Sequence, residues 1–302
     1  MGSLVIRSAT SDADLEAWRR VRLAVLPGER AASVEEMRAA LTPETRHVLA
    51  ELDGTVVGSG LADRSSFGYP GLHARVVPEA RRRGIGTALL ADLAAHAVAQ
   101  GFSEAGSQVD DEGSLRFAER SGLHEVDRQV EQLRTIGVEP RPEVPAGIEV
   151  VTAAARPDLW TAAYDQVALA AFADMVTVRP VIVSAAEWDR DWRPSPEALF
   201  LAVADGAVIG ISGLELDPDQ PDRSEHAITA VARGWRRRGI ATLLKRCALA
   251  FAADHGVREV YTWTQIGNAD MRALNTRLGY VDGGVSVTVR GPLPLTGPLV
   301  SG

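Results

Sequence analysis

The strongest constraint on the fold is a seven-residue motif that occurs twice. It reads Arg81-Arg82-Arg83-Gly84-Ile85-Gly86-Thr87 in the first half of the chain and Arg236-Arg237-Arg238-Gly239-Ile240-Ala241-Thr242 in the second. Each copy follows a short apolar run that contains a valine and precedes a long amphipathic segment. A turn of small residues between a strand and a helix can gather free backbone N–H groups around a phosphate. The two copies therefore indicate a duplicated nucleotide-type binding unit.

The repetition extends beyond this turn. Asp53-Gly54 and Asp205-Gly206 each lie between apolar alternating runs, which is the pattern of a β-hairpin. Each half predicts the order helix, hairpin, strand, phosphate-type turn, long helix, strand, short helix, strand. The segment 137–147 is rich in proline and glycine, as linkers are. We therefore predict two domains, 1–140 and 147–302.

Composition excludes several classes of protein. A net charge of −8 argues against a nucleic-acid binder. No apolar run approaches the roughly 20 residues of a membrane span, and the first residues lack the pattern of a signal peptide. The single cysteine, Cys247, excludes an internal disulfide and fits a reducing cytoplasm. The histidines show no paired spacing typical of metal ligands. We expect a cytoplasmic protein without a metal, nucleic-acid or membrane partner.

The details of the turn distinguish between phosphate motifs. A Walker loop needs a lysine after its glycines, and the dinucleotide fingerprint needs a third glycine where Leu89 and Leu244 stand. The pattern Arg-x-x-Gly-x-Gly/Ala, with a valine five positions before the arginine, resembles the acyl-CoA motif of the GNAT superfamily (Gcn5-related N-acetyltransferases). The resemblance covers nearly the whole chain. It implies an α/β (α+β) fold of two tandem domains, each a mixed, mostly antiparallel splayed sheet flanked by helices.

The resemblance also implies that acetyl-CoA is the co-substrate. Turn amides would hold its pyrophosphate, and the strand carrying the motif valine would part from its neighbour and pair with the pantetheine arm. The predicted cofactor-binding residues of the second half are Val231, Ala232, Arg233, Arg236, Arg237, Arg238, Gly239, Ile240, Ala241, Thr242 and Asn268. Those of the first half are Val76, Val77, Arg81, Arg82, Arg83, Gly84, Ile85, Gly86 and Thr87.

The two halves differ where a general base is expected. In one branch of the superfamily, a glutamate six residues before the motif valine deprotonates the incoming amine, and that position holds Glu225 here. Its counterpart in the first half is Pro70. A carboxylate beside a cleft is suited to this task when burial raises its pKa. An exposed edge-strand glutamate explains the residue equally well, and His226 is the reserve base.

The general acid shows the same asymmetry. Many members of the superfamily carry an asparagine that contacts the cofactor and, seven positions on, a tyrosine that serves as acid. Asn268 fits the first position, but Asn275 occupies the second. The same positions in the first half hold Asp111 and Ala118. We predict that the second domain is catalytic, with Asn275 and a water, or Tyr280, as candidate acids.

The predicted reaction is direct attack of a primary amine on the thioester of acetyl-CoA, with the backbone N–H of Val231 stabilising the oxyanion. The predicted acceptor is a small molecule, such as an amino-sugar antibiotic or a metabolite, and the chain is a monomer or a homodimer. The alternative is a catalytically inactive, tandem acyl-CoA-binding sensor. A third and weaker reading is an interaction scaffold in which both turns are relics.

Overall fold

The computed structural model describes residues 3–64, 68–175 and 181–296, in two compact units. The N-terminal unit comprises Met1–Asp127 and Ser286–Gly302, and the C-terminal unit comprises Arg128–Val285. Both contain a mixed, mostly antiparallel sheet flanked by helices, as predicted.

The sheet of the N-terminal unit has the strand order β1-β2-β3-β4-β5-β12. Its neighbours are antiparallel except for the parallel pair β4 and β5. Its elements are β1 (Leu4–Ser8), α1 (Asp12–Val25), α2 (Val34–Ala39), β2 (Arg46–Leu52), β3 (Thr55–Arg64), β4 (Pro70–Val76), a 3-10 turn (Pro78–Ala80), α3 (Ile85–Ala99), β5 (Glu104–Val109), α4 (Glu112–Arg120) and the greater part of β12 (Val281–Pro292).

The sheet of the C-terminal unit has the order β6-β11-β10-β9-β8-β7, with β10 and β11 parallel. Its elements are the greater part of β6 (His124–Thr135), β7 (Glu149–Thr152), α5 (Pro157–Ala163), a π-helical stretch (Tyr164–Ala168), α6 (Leu169–Ala173), α7 (Ala185–Asp191), a 3-10 turn (Pro196–Ala198), β8 (Leu199–Ala204), β9 (Ala207–Leu216), β10 (Arg223–Val231), a second 3-10 turn (Arg233–Trp235), α8 (Ile240–Asp254), β11 (Glu259–Gln265) and α9 (Ala269–Arg277).

The structure adds a strand at the start of each repeat and confirms both hairpins. The predicted order begins with a helix, whereas β1 and β7 precede the helices. Asp53 and Gly54 have φ of 52° and 79°, and Asp205 and Gly206 have φ of 49° and 77°. Two consecutive positive φ values define a type I′ turn, whose twist matches that of the flanking strands.

The last strand of each sequence repeat lies mainly in the compact unit that the other repeat forms. Residues 129–135 of β6 pair with β11, and residues 287–292 of β12 pair with β5. This division differs from the linear boundary predicted at 140–147, which separates the repeats in sequence. The physical reason is that ladder hydrogen bonds join backbone groups, so composition and linker position do not reveal which distant segment completes a sheet.

In each unit the long helix packs closely on the sheet behind the turn. Leu89 and Leu93 of α3 are fully buried in a core cluster with residues of β2, β3 and β4. Ile240 and Leu244 of α8 occupy the same place in the C-terminal unit. A Cβ added to Gly210 on β9 would come within 2.9 Å of the Ile240 side chain. Glycine therefore permits the close approach of α8.

A glycine near the chain end tests the assignment of β12 to the N-terminal unit. A Cβ on Gly291 would come within 2.0 Å of the carbonyl oxygen of Gly122, a backbone atom that cannot move away alone. We expect Gly291→Ala to cost about 1–3 kcal/mol and to accelerate hydrogen exchange of the β5 amides. Gly137→Ala, whose Cβ would meet nothing within 4 Å, is the control. Unchanged exchange in β5 would contradict the assignment.

Candidate active site

The repeated motif forms the same strained turn in both units. In the C-terminal unit Arg237 has φ of 60° and Gly239 has φ of 85°, and α8 begins at the next residue. In the N-terminal unit Arg82 and Gly84 have φ of 64° and 79° before α3. The first amides of α8 and α3 have no partner within their own helix. Together with the helix dipole, they form a site that favours anions.

The strand that leads into the turn parts from its parallel neighbour. In the C-terminal unit, β10 pairs with β11 only over residues 223–225, although β10 continues to Val231 along β9. In the N-terminal unit, β4 pairs with β5 only at Gly71 and Gly106. Each unit therefore has an opening between two parallel strands directly before its turn. This geometry confirms the splayed sheet.

The alternation of hydrogen bonds along the antiparallel ladder of β10 and β9 directs the backbone N–H and C=O of Val231 into the opening. The N–H of Ala232 donates to the carbonyl of Ile209 at 2.9 Å, so Val231 and Gly210 form a pair that does not exchange hydrogen bonds. The N–H and C=O of Val231 therefore point away from β9. The Nε of Arg236 donates to this carbonyl at 3.0 Å, which ties the turn to the strand.

The N-terminal unit repeats this arrangement. The N–H of Val77 donates to the carbonyl of Val57 at 3.0 Å, which directs the polar groups of Val76 away from β3. The Nε of Arg81 donates to the carbonyl of Val76 at 3.1 Å. The backbone of the predicted CoA site is thus present twice.

A carboxylate engages some of the arginines predicted to contact CoA. Asp174, next to the end of α6, accepts hydrogen bonds from Arg233 and lies 2.7 Å from Nη1 of Arg236. These guanidinium groups hold the pKa of Asp174 well below its usual range. Arg237 and Arg238 are exposed, and Arg238 lies 5.1 Å from the ring centroid of Trp235.

Glu225 is the last residue of β10 that pairs with β11 before these two strands separate. It is half-buried, and it lies opposite Glu215 on β9 and beside Tyr261 on β11. Successive strand residues face opposite sides, so Glu225 faces away from the side chain of His226. In the N-terminal unit Pro70, six residues before Val76, is buried at the start of β4. A bulge in β10 shifts the register by one residue, so Gly71 takes the place of Glu225 in the pairing with the parallel neighbour.

His226 belongs to a buried hydrogen-bond network. Its Nε2 lies 2.7 Å from Oγ of Ser212, and its Nδ1 lies 3.1 Å from the hydroxyl of Tyr280. Ser212 in turn lies 2.8 Å from Oγ1 of Thr229, on the part of β10 that borders the opening. Burial and the charge of Lys245 lower the pKa of His226, so the imidazole is neutral. Its position makes it an internal partner of Tyr280 rather than a base that meets solvent.

Sequence reasoning missed the role of Lys245 in this network. The side chain is 1% exposed on α8, and Nζ lies 5.4 Å from the ring centroid of Tyr280. Burial lowers the pKa of Lys245 to about 7, and burial raises the pKa of Tyr280. The available signal was the alignment of the repeats, in which Leu90 takes the place of this lysine.

The two predicted asparagines occupy different environments. Asn268 is exposed and caps α9, because its Oδ1 accepts the N–H of Met271 at 3.2 Å. Asn275 is 0% exposed, and its Nδ2 donates to Gln132 at 2.8 Å and to Thr264 at 3.3 Å. These contacts favour a structural role for Asn275, while the cofactor role of Asn268 stays a prediction.

Among the described residues, no group of three or more histidine, cysteine or acidic side chains could hold a metal ion. No helix in the described ranges is long and apolar enough to cross a membrane.

Comparison with known proteins identifies the family. The model of the acetyltransferase (GNAT) family matches residues 12–123 and again residues 160–280. The chain therefore belongs to the GNAT family of acetyltransferases, and both repeats are members of it.

Curated relatives and solved structures resemble nearly the whole chain. Mycothiol acetyltransferase of Nocardia farcinica is 28% identical, over 95% of this chain and 98% of the relative. Mycothiol acetyltransferase of Clavibacter michiganensis is 30% identical, over 80% and 79%. A tandem GNAT protein from the clavulanic acid biosynthesis pathway has a TM-score of 0.77 at 22% identity, over 98% of this chain and 100% of that one. A GCN5-related N-acetyltransferase from Sphaerobacter thermophilus has a TM-score of 0.74 at 21% identity, over 99% and 98%.

The buried lysine predicts an unusual pH dependence of stability. The pKa of Lys245 is lowered from 10.5 to about 7 on folding, so between these values the unfolded chain binds a proton that the folded chain lacks. The contribution of Lys245 to the free energy of unfolding therefore becomes more favourable as the pH rises across that range. One pKa unit corresponds to about 1.4 kcal/mol. We expect Lys245→Met to be more stable than the parent at pH 6, with the difference shrinking towards pH 10.

The measurement is denaturant unfolding at several pH values. Arg246→Met, at the exposed neighbouring position on α8, is the control and should show no pH-dependent difference. Loss of stability in Lys245→Met at pH 6 would show that the ammonium group is held by favourable contacts instead.

Proposed function

We propose that the chain transfers an acetyl group from acetyl-CoA to the primary amine of a small molecule, and that the C-terminal unit performs the chemistry. The observation that carries this proposal is the position of Glu225. It is the last residue of β10 that pairs with β11, at the mouth of an opening that ends at the Gly239 turn. The N-terminal unit has the same opening and turn, but Gly71 stands at the paired position that corresponds to Glu225, and Pro70 stands six residues before its motif valine.

The opening provides the groups that acetyl transfer needs. The amides at the start of α8 would donate to the diphosphate of CoA, and each hydrogen bond to such a charged acceptor contributes about 1.5–3 kcal/mol. The N–H of Val231, directed away from β9, stabilises the oxyanion of the tetrahedral intermediate. Glu225 takes the proton of the attacking amine, directly or through a water.

Of the two candidate acids, Tyr280 is the better supported. Its hydroxyl carries a proton, and the network through His226 and Ser212 connects it to Thr229 beside the opening. The amide of Asn275 is instead committed to two neighbours. We therefore propose Tyr280 as the source of the proton that the leaving thiolate takes up.

The named relatives and the proposed base, Glu225, both support a small amine as the acceptor of the acetyl group. Two relatives of similar length are named mycothiol acetyltransferase, which supports a small molecule as acceptor. An amino sugar or a related amine metabolite fits a carboxylate base that removes a proton from nitrogen. A panel of such amines, monitored by release of free thiol from acetyl-CoA, tests the proposal.

The burial of Asn275 at the position of the usual tyrosine favours a second candidate, a tandem acyl-CoA sensor without activity. Micromolar binding of acetyl-CoA without turnover on any amine would support the sensor. Thiol release that depends on one amine would exclude it.

The proposed base gives a direct test. Glu225→Gln keeps the shape of the side chain but removes its proton-accepting charge, so we expect kcat to fall at least tenfold with the acetyl-CoA KM little changed, since proton transfer contributes about 10²–10⁴-fold. Steady-state thiol release measures this effect. Asp111→Asn, on α4 of the N-terminal unit, preserves the N-cap and should leave turnover unchanged. Equal losses in the two variants would contradict the assignment of catalysis to the C-terminal unit.

The turn gives a test of cofactor binding. Gly239→Val forces a β-branched residue to a φ of 85° at the first amides of α8, so we expect the KM for acetyl-CoA to rise at least tenfold. Gly206→Val places the same residue at a φ of 77° in the hairpin of β8 and β9, and it controls for strain alone. A similar KM in both variants would show that the turn does not hold the cofactor.

A further inference from the structure

The N-terminal unit carries polar side chains on the face of its sheet opposite α3. Leu72, Ala74 and Val76 of β4 pack into the core cluster with α3. Because side chains alternate along a strand, His73 and Arg75 face the opposite side, where α1 lies. Arg75 is half-buried, and its guanidinium carbon lies 5.8 Å from the ring centroid of Trp18 on α1.

Arg75 has no hydrogen-bond or ion-pair partner among the described residues, and its Nη1 is buried. Its neighbour Arg22 contrasts with it, because Arg22 donates to Glu29 at 3.2 Å and to the carbonyl of Arg30 at 2.9 Å. Burial and the charge of Arg22 lower the pKa of Arg75 to about 10, although carboxylates of Glu29, Asp110 and Asp63 oppose this effect from a distance. A desolvated, unpaired cation is costly to a fold.

Two further buried polar atoms without a partner among the described residues lie in the same layer, that is, between α1 and this face of the sheet. Ser59 of β3 stands directly opposite Arg75 in the ladder, is 0% exposed, and its Oγ has no partner among the described residues. His47 of β2 is buried edge-on to Trp18 at 5.2 Å, and its Nδ1 is likewise unpartnered. Buried polar groups are nearly always hydrogen-bonded, so three such groups on this face without a partner indicate a partner outside the described residues.

A histidine and a carboxyl group complete this layer. Nε2 of His73 lies 4.0 Å from Oδ1 of Asp63. A Cβ on Gly71 would come within 2.7 Å of this Oδ1 and 2.8 Å of this Nε2, so glycine makes room for the pair. Burial, with the charges of Arg75 and Arg22, lowers the pKa of His73 to about 3. This histidine is therefore neutral and cannot compete with Arg75 for an anion.

We propose that this layer of the N-terminal unit binds a small carboxylate, held in a bidentate contact by the guanidinium of Arg75, with the hydroxyl of Ser59 as a further donor. The planar fork of arginine matches a carboxylate, and packing against Trp18 orients it. The C-terminal unit has Ala230 and Ile211 at the positions of Arg75 and Ser59, so the site belongs to the N-terminal repeat alone. The site does not depend on acetyl transfer.

Calorimetric titration with sodium acetate, succinate and citrate, each against sodium chloride of equal ionic strength, tests the proposal without acetyl-CoA. We expect saturable binding of at least one carboxylate and a loss of at least tenfold in affinity in Arg75→Met. Arg64→Gln, an exposed arginine on β3, should bind as the parent does. Sodium phosphate is titrated in the same way. Absence of saturable binding for all three carboxylate salts, or saturable binding of phosphate alone, would overturn the proposal.

Stability separates a binding arginine from a structural one. Because Arg75 is desolvated without a partner, Arg75→Met should keep or raise Tm in carboxylate-free buffer while losing binding. A fall of several degrees would show that Arg75 supports the fold and would contradict the proposal. Ser59→Ala gives a second, independent readout: this variant should keep its Tm and lose affinity for the same carboxylate by at least threefold.

Discussion

The left-handed backbone of the arginine-glycine turn is the constraint on which the proposed active site depends. With Arg237 and Gly239 at positive φ, the chain reverses from β10 into α8 within a few residues, and the first amides of the helix lie directly after the parted strand. Arg236 fastens the turn to the carbonyl of Val231, and Gly210 lets α8 approach the sheet closely. The anion-binding amides and the strand edge are therefore held together by local geometry and not by a long loop.

The two units share this backbone and differ in the side chains around it. The C-terminal unit places Glu225 at the mouth of the opening and buries a lysine, a tyrosine and a histidine between sheet and helix. The N-terminal unit has apolar residues or glycine at these positions, and Arg75, which has no hydrogen-bond partner in the described part of the chain, lies on the opposite face of the sheet. The two units thus share the backbone of the proposed anion site, while the polar side chains around it differ.

Much of this arrangement could be predicted from local patterns. The turns, the hairpins at Asp53-Gly54 and Asp205-Gly206, the long helices and the splayed sheets appear as expected. The short strands β1 and β7 were missed, because four or five residues hold too little alternation to be recognised. The buried state of Asn275 and the contact of Lys245 with Tyr280 were also missed, because both depend on segments distant in sequence.

The sequence by itself determined the family, the duplication and the positions of both turns, since positive φ at glycine and the start of a helix are properties of a few consecutive residues. Tertiary structure decided that residues 129–135 of β6 complete the sheet of the C-terminal unit and residues 287–292 of β12 that of the N-terminal unit. It also decided that Ser59 and Arg75 face each other without hydrogen-bond partners among the described residues. Strand pairing and burial arise from contacts between residues far apart in the chain. No local pattern of residues encodes them.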